Sequence, residues 1–238
     1  MVYSGHRDGI IIHFEHTLKF RMGKKSMKEE IYLTQENKKG NIVGLTVYHI
    51  NGLKKIEEFP ELIRLKLVGG KIEDFTGLQH CPKLISLEIG LTEIHDFLSL
   101  GANKSIKELI VEGYYEDVVK TACKMEQLES LSVIYGTAKN PGKLKKLKKL
   151  RHLYLDKVRN SSDLMEILSL EKLTRLKVNA PKGCCQEEID TFLAALKKHL
   201  PKNNWIELGL RGYEFHPDLL KGMSLKHFSV TCNEFEIN

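Results

Sequence analysis

One short pattern recurs so often along this chain that it restricts the fold before any other residue is considered. Written apolar-x-x-apolar-x-apolar, it reads IVGLTV at 42–47, LIRLKL at 62–67, LISLEI at 84–89, IKELIV at 106–111 and LESLSV at 128–133. It continues as LRHLYL at 150–155, LTRLKV at 173–178, WIELGL at 205–210 and LKHFSV at 225–230. Successive starts lie 20, 22, 22, 22, 22, 23, 32 and 20 residues apart. A fixed period of roughly 20–50 residues marks stacked units, each burying its apolar face only against its neighbours. Such a chain is a solenoid.

Between the strands the apolar residues change rhythm. After LIRLKL come Ile72, Phe75, Leu78, Cys81 and then Leu84; after LISLEI come Ile94, Phe97 and Leu100. Steps of three match a 3₁₀ helix, in which i and i+3 eclipse. Strand and return segment together resemble the leucine-rich repeat family, whose unit runs LxxLxLxxNxL, and specifically the short 22-residue type of internalins and of a protein-phosphatase regulatory subunit. The resemblance spans about residues 42–238 and implies an α/β solenoid. In this horseshoe a parallel concave sheet of about nine strands is backed by 3₁₀ or irregular convex segments. The chain departs from the family at the Asn position, which holds Gly70, Thr92, Tyr114, Gly136, Val158 and Pro181 in successive units. Only Thr92 can imitate the Asn side chain that bonds neighbouring loops, so an irregular horseshoe is expected. The longest interval holds an insertion in which Ile189, Phe192, Leu193, Leu196 and Leu200 follow helical spacing. Acids open it and Lys197, Lys198 and His199 close it before Pro201, which predicts an α-helix over 186–200.

Residues 1–41 precede the repeat. Ile10, Ile12 and Phe14, then Leu18, Phe20 and Met22, alternate with polar residues, and EEIYLTQ reads as a further strand before the turn-like ENKKGN. Repeat arrays need terminal caps, so this stretch is read as a β N-terminal cap forming one unit with the array. At the other end Phe235 and Ile237 are placed to cover the last layer.

Composition excludes several classes. The chain is 42% hydrophobic and 29% charged, ordinary for a folded domain. No apolar run approaches the roughly 20 residues that span a bilayer. The opening MVYSGHRDG lacks a signal-peptide pattern, so a cytoplasmic protein without a membrane partner is expected, and of the oligomeric states a monomer is favoured. The five cysteines (Cys81, Cys123, Cys184, Cys185 and Cys232) are odd in number and scattered, which reads as reduced and structural. Cys184 and Cys185 stand near a helix N-terminus, where a thiol pKa can fall. His13, Glu15 and His16 are not HExxH, and strand alternation sends the two histidines to opposite faces. There is no Walker loop, no GxGxxG and no GxSxG. No catalysis, cofactor or metal is expected.

In x-L-x-L-x the leucines point to the core and the residues between them face the concave side. The charged set on that face is Arg64, Lys66, Arg175, Lys177 and Arg211 against Glu88, Glu108, Glu112, Asp156 and Glu207. Five bases against five acids make a balanced face, with acids central. A duplex-binding concavity would need an excess of bases, so a protein partner is expected there and nucleic acid is not. Ile110, Ile134 and Tyr154, with His152 beside them, form an apolar strip among the acids, the anatomy of a binding hot spot. The excess charge, +6 overall, falls elsewhere. In GKLKKLKKLR the leucines are core positions, and Lys143, Lys145, Lys146, Lys148, Lys149 and Arg151 are left to face water. This is a solvated convex ridge first, with nucleic acid as the alternative partner. By resemblance, the jobs open to such a protein are adaptor, regulatory subunit or inhibitor, including an immunity-type protein.

Overall fold

The computed structural model describes residues 31–199, 204–223 and 225–232. The strands expected within residues 1–30, the HFEH segment, Leu200, Pro201, Phe235 and Ile237 lie outside the described residues.

Among the described residues, eleven strands form one open sheet. β1 (Ile31–Glu36) runs antiparallel to β2 (Ile42–Asn51). From β2 the sheet is parallel through β3 (Arg64–Ile72), β4 (Ser86–Gly90), β6 (Glu108–Glu112) and β7 (Ser130–Ala138). It continues through β8 (His152–Val158), β9 (Arg175–Asn179), β10 (Asn204–Leu210) and β11 (Leu225–Cys232). The two-residue β5 (Glu93–Ile94) pairs only with β3. The nine parallel strands are the nine repeats, and strand order follows chain order, as stacked units require.

Register explains why the repeat must be strict. Leu45, Leu65, Leu87, Leu109, Leu131, Leu153, Leu176 and Ile206 stand side by side across eight strands, all at most 3% exposed. Val47, Leu67, Ile89, Val111, Val133, Leu155, Val178 and Leu208 form a second such column. A one-residue slip in any strand would turn its members of both columns to the solvent face. The return segments supply the opposite wall. Leu78 N–H donates to Phe75 O (3.1 Å), Cys81 N–H to Leu78 O (3.1 Å) and Leu84 N–H to Cys81 O (3.0 Å). The period of three is thus a chain of i→i+3 bonds leading into the next strand.

Two units depart from this. Their returns contain short α-helices, α1 (Val118–Ala122) and α2 (Ser161–Glu166). In the first, Val118, Val119, Thr121, Ala122 and Met125 are buried, a spacing that three-residue turns cannot place on one face. In the second, Asn160 caps the helix by accepting from the Asp163 N–H (2.9 Å). The expected inserted helix is α3 (Gln186–His199), which buries Ile189, Phe192, Leu193 and Leu196.

The eighth strand corrects the register read from WIELGL. Trp205 pairs with Arg175 and Glu207 with Lys177, so Trp205 lies on the concave face rather than in the core. Arg211 follows the strand and stands outside the concave rows. This register buries Ile206, Leu208 and Leu210 together, whereas the expected one would leave Ile206 outside the core. Trp205 and its partner His227 are 22 residues apart, so the ninth unit keeps the period.

Candidate binding face

The parallel ladders fix which concave side chains are neighbours. One row runs Arg64, Ser86, Glu108, Ser130, His152, Arg175, Trp205 and His227. The next runs Lys66, Glu88, Ile110, Ser132, Tyr154, Lys177 and Glu207. A third carries Gly90, Glu112 and Ile134. Of the residues that the sequence places on this face, all but Arg211 lie on its β-strands.

The charges are organised along the rows. Lys66 Nζ sits 2.5 Å from Glu88 Oε1, and Lys177 Nζ 2.9 Å from Glu207 Oε2. Lys177 also lies 5.1 Å above the Tyr154 ring. The hydrogen bond to Glu207 raises the Lys177 pKa against the opposing effect of burial. Burial pushes the Glu207 carboxyl up, but hydrogen bonds from Lys177 and Trp205 outweigh it and the net shift is down. Both partners are therefore held charged. Burial, and then the Asp156 charge, raise the Tyr154 phenol, which stays a neutral hydroxyl. Burial followed by Arg175 depresses His152, which favours the neutral imidazole. Ser86 donates to Glu108 (2.6 Å), and Asn179 donates to the Asp156 side chain (2.9 Å).

The apolar strip is not where the sequence places it. Ile110 is 7% exposed, wedged in register between Glu88 and Ser132 on strands about 4.8 Å apart. Ile134 is partly exposed but one row away, and Ser132 separates Ile110 from Tyr154. The larger aromatic feature lies at the far end, where Trp205 stacks on His227 with centroids 3.9 Å apart. Arg175 stands 5.3 Å over the same indole, and the indole N–H donates to Glu207 (2.9 Å). Trp205 is the single tryptophan of the chain, and its neighbours IELGL alternate in the parity that sends it outward.

A second feature that the sequence reading missed borders this face. Just past β4 and β6, and at the break in the pairing of β7 with β8, Leu91, Tyr114 and Tyr135 are 76%, 80% and 58% exposed. Lys157 lies 5.6 Å over the Tyr114 ring. Leu91 and Tyr135 have φ of 52° and 62°, at a repeat position that is Gly69 and Gly113 in other units. Bulky side chains are strained in that region. The signal was present as large apolar residues at a turn position where glycine alternates with them.

The described residues hold no cluster of three or more His, Cys, Asp or Glu suited to a metal. The Cys184 thiol is raised, by burial and then by Glu188, not lowered as its place beside α3 suggested. No helix among the described residues is long and apolar enough to cross a membrane.

No protein-family model matches the chain, and no curated protein matches it by sequence. Its backbone is similar to solved internalin structures from Listeria monocytogenes. With internalin C2 the TM-score is 0.60 at 23% identity, covering 80% of this chain and 81% of that one. With internalin F it is 0.56 at 20% identity, covering 77% of this chain and 58% of that one. The chain has the fold of a leucine-rich repeat solenoid.

Proposed function

We propose that this protein is a non-catalytic binding module that holds a protein partner on its concave sheet, as an adaptor, regulatory subunit or inhibitor. The observation that carries this is the aromatic and cationic array of Trp205, His227, Arg175, Tyr154 and Lys177 on one open face. Trp, Tyr and Arg are the side chains that dominate protein interfaces, and here they are held in place by stacking and by Glu207. The central carboxylates Glu108 and Glu112 suit a partner with basic residues opposite them. Five thiols, none of them disulfide-bonded, would remain so in the reducing cytosol.

The test is affinity capture from native lysate with nuclease present, followed by reconstitution with the purified protein retained. Trp205→Ala combined with Tyr154→Ala is expected to weaken the reconstituted complex by at least about 30-fold, the effect of losing one hot-spot residue of about 2 kcal/mol. Arg211→Ala is expected to change affinity less than threefold. A partner that binds the double variant as tightly as the wild type would overturn the reading.

A further inference from the structure

Lys143, Lys145, Lys146, Lys148 and Lys149 stand on the 3₁₀ segment Pro141–Lys146 and the turn after it, between α1 and α2 on the convex side. Leu144, Leu147 and Leu150 turn inward and are at most 4% exposed. With every third residue committed to the core, the lysines between them all face solvent, and all five are exposed. Elsewhere on the chain lysines reach a carboxylate one repeat away: Lys83 to Glu61 (2.6 Å), Lys107 to Glu129 (3.0 Å) and Lys139 to Glu116 (3.4 Å). None of the five ridge lysines makes an ion pair among the described residues, and Lys149 bonds only the neutral amide of Gln127. Like charges at helical spacing repel, so the fold gains nothing from this set. An open groove of about 370 Å³ separates the ridge from the following turn. Lys172 and Ser169 line its far wall, and Glu171 is the one acid beside it.

We propose that this ridge binds the phosphate backbone of duplex nucleic acid without regard to base sequence. A membrane surface would need apolar or aromatic side chains to insert, and the ridge leucines are buried. The core of a protein interface is apolar and depleted in lysine. Phosphate contacts need neither, because lysine serves as a point charge and counterion release drives association. Arg151, whose fork could grip a phosphate in two places, instead donates to the Lys148 and Leu150 carbonyls at 3.0 Å each. Segment 141–151 contains no aromatic residue on which an unpaired base could stack, which favours duplex over single strand. The ridge lies on the convex side, away from the concave rows, so both partners can be held at once.

Fluorescence anisotropy of the full chain with two labelled duplex DNAs of unrelated sequence tests this, with polyglutamate and phosphatidylserine vesicles as competing probes. If the five lysines each neutralise one phosphate, log K falls with log salt at a slope of about −4.5. Affinity then drops about 500-fold between about 50 and 200 mM salt, equally for both sequences. Replacing Lys145, Lys146, Lys148 and Lys149 with Ser should bring the slope to about −1. The Gln version, which keeps more of each aliphatic stem, should behave alike, and the Arg version should bind as the wild type does. Trp205→Ala should leave duplex binding unchanged. A Ser or Gln variant with the wild-type slope overturns the proposal, as do vesicles or polyglutamate bound more tightly than both duplexes.

Discussion

The Tyr115 hydroxyl bridges both backbone groups of Thr92 in the preceding unit, donating to its carbonyl at 2.6 Å and accepting from its N–H at 3.1 Å. This is the loop-to-loop bonding that the family assigns to an Asn side chain, carried out here by the residue after Tyr114. The ring stacks on Phe97 with centroids 5.2 Å apart. Tyr213 repeats the device on the Pro181 carbonyl (2.6 Å) and the Cys184 N–H (3.1 Å). Tyr115→Phe keeps the stacking and orphans two backbone groups, so it should cost about 1–2 kcal/mol. Thermal unfolding should show a Tm about 3–6 °C lower, with Tyr114→Phe unchanged.

Leu91→Gly should stabilise the protein although it deletes a large side chain. The residue is mostly exposed, so little burial is lost, while its φ of 52° is released from steric strain. A gain of about 0.5–1 kcal/mol is expected, read as a denaturation midpoint shifted upward at constant m-value. The opposite change at Gly70 should be severe. A Cβ there would lie 2.1 Å from the Ile50 carbonyl oxygen, so Gly70→Ala should lower stability by about 3 kcal/mol or more.

Asp163 is almost fully buried and depends on Arg159, whose Nη2 donates to Oδ1 at 3.1 Å and whose Nε stands 3.0 Å from Oδ2. Oδ2 itself receives no well-aligned hydrogen bond. Oδ1 also accepts from the Asn140 N–H (3.2 Å), tying this unit to the one before it. Arg159→Ala leaves a buried carboxylate without its cation; because Arg159 is half-exposed, the expected cost is about 2 kcal/mol, below that of a fully buried pair. Urea unfolding of Arg159→Ala beside Arg159→Lys should rank the lysine variant in between.

His216 ties the last return segment to α3 through Asp190, at 3.0 Å from Oδ2. The Asp190 hydrogen bond, and then its charge, raise the histidine above its ordinary value of 6.5. The folded state therefore binds this proton more tightly than the unfolded state. Its stabilising contribution is full below about 6.5 and is lost as pH rises through the higher folded value. His216→Gln should lower Tm at about pH 5.5 and have little effect near pH 9. An equal loss at both pH values would sink this assignment.

Sequence alone determined the nine parallel strands, the core columns of every strand but the eighth, the 3₁₀ returns outside α1 and α2, and, from its own helical spacing, the inserted helix. Each follows from alternation, turn period or helical spacing within roughly a dozen consecutive residues. The strand positions of the proposed contact residues, Arg211 apart, were legible because strand parity assigns faces without knowledge of neighbours. Three things were settled only across units. Lateral pairing with β9 put Trp205 on the face and took Arg211 off it, because parity within WIELGL fits either register and burial of Ile206 chooses one. Neighbouring strands enclosed Ile110, which its own strand places outward. Tyr115 and Tyr213 took up loop bonding at two positions that lack the Asn, through partners 23 to 32 residues away. Periodicity is written along the chain, but the contacts that set register, burial and loop bonding run between units, and only packing one unit on the next decides them.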